Sequence, residues 1–103
     1  MKFDVRRTIG ADHPSLPGHF PGAPIVPGVV MLDEIVAALA ERREHCQLTM
    51  IRAVKFLLPL KPEQPFTISF STVENSEDEV DFCCRVDDRA IAEGRFEVRC
   101  QAN

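Results

Sequence analysis

Hydrophobic and polar positions alternate along much of the chain, and a period of two is typical of half-buried strands. Near the start, Phe3, Val5 and Ile9 share one parity, which predicts a first strand over about residues 2–9. From residue 48 onward four further strands are predicted, separated by turn residues at 59–62, 75–78 and 87–89: the first, 48–58, is apolar and partly β-branched, and alternation returns in the later ones. Short turns join antiparallel neighbours, so the pattern predicts an antiparallel sheet.

Between these strand segments the period changes to that of a helix, which is predicted to begin near Gly28 and to fade near Glu44. At about 100° per residue, one wide apolar face collects Val29, Leu32, Ile35, Val36 and Leu39. A helix this apolar is usually buried against a sheet. The expected fold class is therefore α+β, with one long helix against an antiparallel sheet.

Residues 10–28 connect the first strand to this helix and are rich in proline and glycine. The prolines prevent a helix here and stiffen the segment, so a shaped loop is expected. The loop carries His19, and Asp33 follows fourteen residues later, just inside the helix. A histidine and a carboxylate in this setting favour acid–base catalysis over a purely structural role for either residue.

One domain is expected over residues 1–103, because a chain of this length supports a single hydrophobic core. The net charge of −4, without a run of basic residues, argues against nucleic-acid binding. No apolar stretch approaches the roughly 18 residues of a membrane span, and the charged start lacks the apolar segment of a secretory signal. We therefore expect a cytoplasmic protein that binds neither nucleic acid nor membrane.

The cysteines and histidines do not have the spacing of a metal site. Cys83 and Cys84 are adjacent, so in a strand they would face opposite sides of the sheet. A set made of Asp12, His13 and His19 shares no recognised spacing either. The expectation is therefore that the four cysteines are reduced structural thiols and that the protein uses no metal and no cofactor.

Residues 18–28, with the sequence GHFPGAPIVPG, resemble the hallmark loop of the β-hydroxyacyl-(acyl-carrier-protein) dehydratases of the FabA/FabZ type. Segments 54–62 and 92–96 are similar to later strands of that family. The resemblance implies a hotdog fold, in which an antiparallel sheet wraps around one long central helix, here about residues 28–44. The short chain looks most like the branch that acts in aryl-polyene synthesis.

The resemblance also implies an activity, the removal of water from 3-hydroxyacyl thioesters to give trans-2-enoyl thioesters. His19 would be the base that takes the Cα proton, and Asp33 would be the acid that helps hydroxide to leave. Gly28 would offer its backbone N–H to the thioester carbonyl at the positive end of the helix. The further residues that we expect to contact the substrate are Phe20, Gly22 and Val29.

The role of Asp33 allows two interpretations. A helix start stabilises a carboxylate as the anion, whereas burial in an apolar tunnel favours the protonated form that an acid needs. If the anion prevails, Asp33 would orient water or the substrate hydroxyl, and His19 would handle both protons. On the helical wheel Asp33 lies at the edge of the apolar face, while Glu34 lies further towards the polar side, which favours Asp33 as the functional acid.

The resemblance implies partners as well, because the family's active site combines the histidine of one chain with the acid of another. We therefore expect a homodimer or pairing with a second hotdog subunit, acting on an acyl thioester of acyl carrier protein or coenzyme A. Candidate docking residues for the acidic carrier protein are Arg42, Arg43, Arg52, Lys55 and Lys61. The alternatives are a hotdog acyl thioesterase and a noncatalytic acyl-binding or partner subunit. Intact His19 and Asp33 argue against the second, and Ala37, where many family members have glutamine, keeps it open.

Overall fold

The structure is a computed structural model and describes residues 2–13 and 25–101. Within these ranges it contains five strands and one helix, in the order that the sequence predicts. The elements are β1 (Lys2–Arg7), α1 (Gly28–Arg42), β2 (Cys46–Phe56), β3 (Phe66–Thr72), β4 (Glu79–Val86) and β5 (Arg89–Cys100). The first strand and the helix each end two residues before the expected position.

The strands form one antiparallel sheet in the order β1-β3-β4-β5-β2. The turn between β4 and β5 consists of Asp87 and Asp88, and Asp87 adopts a positive φ of 53°, which aspartate tolerates better than most residues. Strands β1 and β2 lie at the two edges of the sheet. The backbone of β2 is therefore paired to β5 on one side only, among the strands that the structure describes.

Alternating side chains of the central strands form the core, which confirms the predicted period of two. The buried residues of these strands are Phe66, Ile68 and Phe70 in β3, Val80, Phe82 and Cys84 in β4, and Ile91, Ala92, Phe96 and Val98 in β5. Helix α1 inserts Ile35 and Ala38 into the same cluster, and both side chains are fully buried. An antiparallel sheet packed on one helix is the α+β hotdog arrangement that was expected.

The buried face of α1 differs from the predicted one in its first turn. Ile35 and Leu39 are buried as expected, but Val29 is 66% exposed, and Val30 and Met31 face the core instead. A helical wheel gives only the angular position of each side chain around the helix axis. It does not show which neighbouring segment covers the first turn of the helix. In residues 2–13 and 25–101 no helix is long and apolar enough to cross a membrane.

The expectation of four reduced cysteines is wrong for two of them. Cys46 and Cys100, which are 54 residues apart in sequence, form a disulfide. They are directly opposite each other in the β2–β5 register, at the start of one strand and the end of the other. Strand register is not visible in the spacing of cysteines along a sequence, so this pairing could not be predicted from it. Cys83 and Cys84 are free thiols.

Gly94 allows β5 to lie close to both of its neighbours, because an added Cβ would be 2.3 Å from the carbonyl oxygen of Ala53 and 2.6 Å from the ring of Phe82. We expect Gly94→Ala to lower the free energy of unfolding by about 1–3 kcal/mol, since backbone and a buried ring must move. Urea denaturation measures this change. Gly10→Ala is the matched control, because its Cβ would meet the carboxylate of Asp12, which can rotate away. Equal stability losses in the two variants would contradict the prediction.

Cys84 lies in the core, and burial, followed by the charge of Cys83, raises the pKa of the Cys84 thiol to about 12. The thiolate is the reactive form of cysteine, so Cys84 is expected to resist alkylation at neutral pH while the protein is folded. Mass spectrometry after iodoacetamide treatment should show modification of half-buried Cys83 but not of Cys84. In urea both should react. Native labelling of a Cys83→Ser variant at Cys84 would disprove this expectation.

Candidate active site at the start of the helix

An apolar cavity of about 480 Å³ lies beside the first turn of α1. Its lining contains no charged or polar side chain among the described residues, which are Ile25, Val26, Pro27, Gly28, Met31, Phe56, Leu57, Leu58, Pro59 and Leu60. The backbone N–H of Val26 donates to the carbonyl of Leu60 at 2.8 Å, which ties the segment before the helix to the segment after β2. The volume lies in the range of small-molecule sites, and the lining suits a hydrocarbon chain.

Gly28 contributes a polar backbone group to the otherwise apolar lining of the cavity. It is the first residue of α1, and the N-cap residue Pro27 makes no side-chain hydrogen bond to the helix. The first N–H groups of a helix have no acceptor within the helix. The N–H of Gly28, at the positive end of the helix dipole, is therefore a donor suited to an oxygen atom that carries developing negative charge.

The ring of Phe56 covers Gly28. A Cβ at position 28 would be 2.9 Å from two ring atoms of Phe56, so glycine permits this close approach. The ring itself is 48% exposed, at the end of β2 where the strand leads into the cavity wall. Phe56 and the following leucines were not among the predicted site residues. The signal for them was the unbroken apolar run at 56–58, which departs from strand alternation.

Asp33 lies on the exposed side of α1 and is not among the described residues that line the cavity. It forms a stripe with Val29, Ala37 and Ala40, which are also exposed in the single chain. The first turn of α1 contains no acidic residue, so Asp33 lies beyond the turn in which the helix dipole acts most strongly.

The helical wheel was wrong about which of the two neighbouring carboxylates is more exposed. Glu34 is the half-buried one, and its carboxylate lies 3.7 Å from the guanidinium Nε of Arg7 on β1. Arg7 also pairs with Glu41, about two turns further along the same face of α1. Glu34 thus joins the helix to the edge of the sheet, whereas Asp33 is exposed.

Three of the predicted site residues, His19, Phe20 and Gly22, lie outside the described residues. The structure therefore places Gly28 at the cavity, places Val29 and Asp33 on the exposed face of α1, and gives no position for the predicted base. Ile25, where the described chain resumes, lines the cavity. His19 precedes it by six residues in the sequence.

Comparison with known proteins identifies the family of this chain. The profile of the ApeI-like dehydratases matches residues 1–95. A 3-hydroxyacyl-(acyl-carrier-protein) dehydratase FabZ from Chlamydia trachomatis serovar L2 is 29% identical over 104 aligned positions, which cover 89% of this chain and 68% of the relative.

Solved structures share the fold. A chain of the dehydratase heterocomplex ApeI:P from Xenorhabdus doucetiae superposes with a TM-score of 0.77 at 22% identity, covering 97% of this chain and 88% of that one. A mutant acyl-CoA hydrolase from Staphylococcus aureus superposes with a TM-score of 0.74 at 14% identity, covering 99% and 65%. The hotdog fold is thus shared by dehydratases and hydrolases. By the match over residues 1–95, this chain belongs to the ApeI-like dehydratase family.

Proposed function

We propose that residues 1–103 form one hotdog domain that removes water from 3-hydroxyacyl thioesters and releases trans-2-enoyl thioesters. The observation that carries this proposal is the apolar cavity beside the start of α1, with Gly28, the first residue of the helix, in its lining. Acyl thioesters combine a hydrocarbon chain with a carbonyl that becomes negatively charged when the Cα proton is removed. The cavity suits the first part of such a substrate and the helix start suits the second.

In this mechanism His19 removes the Cα proton, since an imidazole titrates near neutral pH. The N–H of Gly28 stabilises the enolate oxygen that develops on the thioester carbonyl. Asp33 either donates a proton to the departing hydroxide or holds the substrate hydroxyl in place. Phe20, Gly22 and Val29 complete the substrate contacts. The residue roles rest on the family motif at positions 18–28 and on the position of Gly28 at the cavity.

The same proposal includes a second subunit, in a homodimer or in a complex with another hotdog chain. Edge strand β2 and the segment that follows it expose large apolar side chains, namely Met50, Ile51, Phe56, Leu57 and Leu58. An exposed apolar edge of this kind is usually covered in a stable protein. We propose that the partner also covers the Asp33 face of α1, which is exposed in the single chain, and likeness to a chain of the ApeI:P heterocomplex supports such pairing.

The carrier of the acyl chain is proposed to be acyl carrier protein. Lys55 and Lys61 are exposed, and they immediately precede and follow the wall residues 56–60 of the cavity. Two cations beside the cavity suit a strongly acidic carrier, although the net charge of the chain is −4. Replacing both lysines by glutamate should raise KM for carrier-bound substrate more than KM for the coenzyme A thioester.

The activity is tested by hydration of trans-2-enoyl thioesters of several chain lengths, followed as loss of the conjugated absorbance. The chain is assayed alone and together with a candidate hotdog partner, with a thiol reagent in a parallel reaction. Hydration without thiol release supports the dehydratase. Thiol release would identify a thioesterase instead, and no turnover in any combination would indicate a noncatalytic subunit.

The donor role of Gly28 can be separated from its small size by two substitutions. Proline is favoured at the first position of a helix, so Gly28→Pro should keep α1 while removing the N–H. Gly28→Ala keeps the N–H and adds a Cβ against the Phe56 ring, as proline also does. We expect kcat of Gly28→Pro to be about 10²–10³-fold below that of Gly28→Ala. Equal kcat values in two folded variants would exclude this N–H as the oxyanion donor.

A further inference from the structure

A group of metal-ligating side chains lies at the opposite end of α1 from the candidate active site. His45 follows the helix, and Cys46 and Cys100 face each other where β2 begins and β5 ends. One imidazole nitrogen and the two sulfur atoms all lie within 4.8 Å of one another. The backbone supports this grouping, since the N–H of Gln101 donates to the carbonyl of His45 at 3.0 Å.

Charged and polar side chains surround this group. The guanidinium Nη2 of Arg43 lies 3.5 Å from the sulfur of Cys100. A surface cavity of about 430 Å³ adjoins the same sulfur and is lined by Arg43, Thr72, Ser76, Glu77, Asp78 and Cys100. The lining of this cavity includes two carboxylates, those of Glu77 and Asp78, which would offset the positive charge of a bound cation.

We propose that His45, Cys46 and Cys100 bind one thiophilic divalent cation of the Zn²⁺ type when the two cysteines are reduced. Two thiolates and one imidazole form a donor set that zinc uses in proteins with water as the fourth ligand. Reduction of the disulfide by two external thiols breaks the S–S bond and leaves two cysteine thiols and one external disulfide. Cation binding then displaces the thiol protons.

The proposed site is separate from dehydration chemistry. It lies at the start of β2, whereas Phe56 at the candidate active site is the last residue of that eleven-residue strand. A strand of this length spans about 33 Å. The cation would therefore bind edge strand β2 to β5, in place of the disulfide, without contact with the acyl thioester.

The test uses the whole chain reduced with a phosphine, freed of metal and titrated with Cd²⁺. We expect sulfur-to-cadmium charge-transfer absorbance that saturates at one Cd²⁺ per chain, and competition by Zn²⁺. Cys46→Ser and Cys100→Ser should abolish the absorbance, and His45→Ala should weaken binding by about 10-fold or more. Cys83→Ser is the matched control, because Cys83 is a free, half-buried thiol in the middle of β4.

Unmutated protein in the disulfide form provides a second comparison that does not depend on the folding of any variant. It should show no charge-transfer absorbance, and bound Zn²⁺ should protect Cys46 and Cys100 of the reduced protein from alkylation. Equal absorbance in the oxidised and reduced proteins, or its persistence in Cys100→Ser, would overturn the proposal. Neither result depends on dehydratase activity, so failure of one proposal can be distinguished from failure of the other.

Discussion

Replacing His19 by alanine is expected to lower the rate of trans-2-enoyl thioester hydration by about 10²–10⁴-fold, the contribution typical of a general base. In the proposed mechanism no other described side chain at the cavity can accept a proton, because all of the described lining residues are apolar or glycine. The loss should therefore appear in kcat, while KM, which depends on the apolar cavity, should change little.

His13→Ala is the matched control for this experiment. His13 lies in the same connection between β1 and α1, and its backbone N–H donates to the carbonyl of Gly10 at 3.1 Å in a tight turn. Its imidazole is not part of the motif at 18–28, so the variant should retain nearly full activity. A folded His19→Ala protein with wild-type kcat would remove His19 from the chemistry and with it the proposed mechanism.

Much of the fold could be predicted because burial in a sheet and in a helix leaves different periods in the sequence. The alternation of Phe66, Ile68 and Phe70 identified β3, and the burial of these residues matches it. Pairing between distant strands leaves no such local trace. The contact of Cys46 with Cys100 depends on register across 54 residues, which explains why these cysteines were expected to be reduced.

The candidate site was predictable only in part, for a related reason. The proline- and glycine-rich loop and the start of α1 are local features, so Gly28 could be assigned to the helix start, where the structure places it. The other wall of the cavity comes from residues 56–60, which are distant from the helix start in sequence and are held beside it by the backbone hydrogen bond from Val26 to Leu60. The exposure of Asp33 could not be derived either, since it depends on how the helix is rotated against the sheet.

That exposure leads to the second large effect, the recovery of activity when two inactive variants are combined. His19→Ala and Asp33→Asn proteins, each nearly inactive as homodimers, are expected to regain activity when they share a dimer. If each site takes its histidine from one chain and its acid from the other, a mixed dimer contains one intact site and one site that lacks both groups. The Asp33 stripe on α1, exposed in the single chain, is the face that the proposed partner would cover.

Differently tagged variants, co-expressed and purified through both tags, provide the mixed dimer in pure form. Its hydration rate should be about half that of the wild-type dimer, whereas mixing the purified homodimers without exchange should give only background. Glu34→Gln serves as the control partner for His19→Ala, because Glu34 pairs with Arg7 within its own chain. The Glu34→Gln homodimer retains both His19 and Asp33 and should therefore be active. This comparison distinguishes loss of the Asp33 carboxylate from loss of another carboxylate on α1. A mixed His19→Ala and Asp33→Asn dimer that stays inactive would mean that both groups act within one chain, and the exposed face of α1 would then need another explanation.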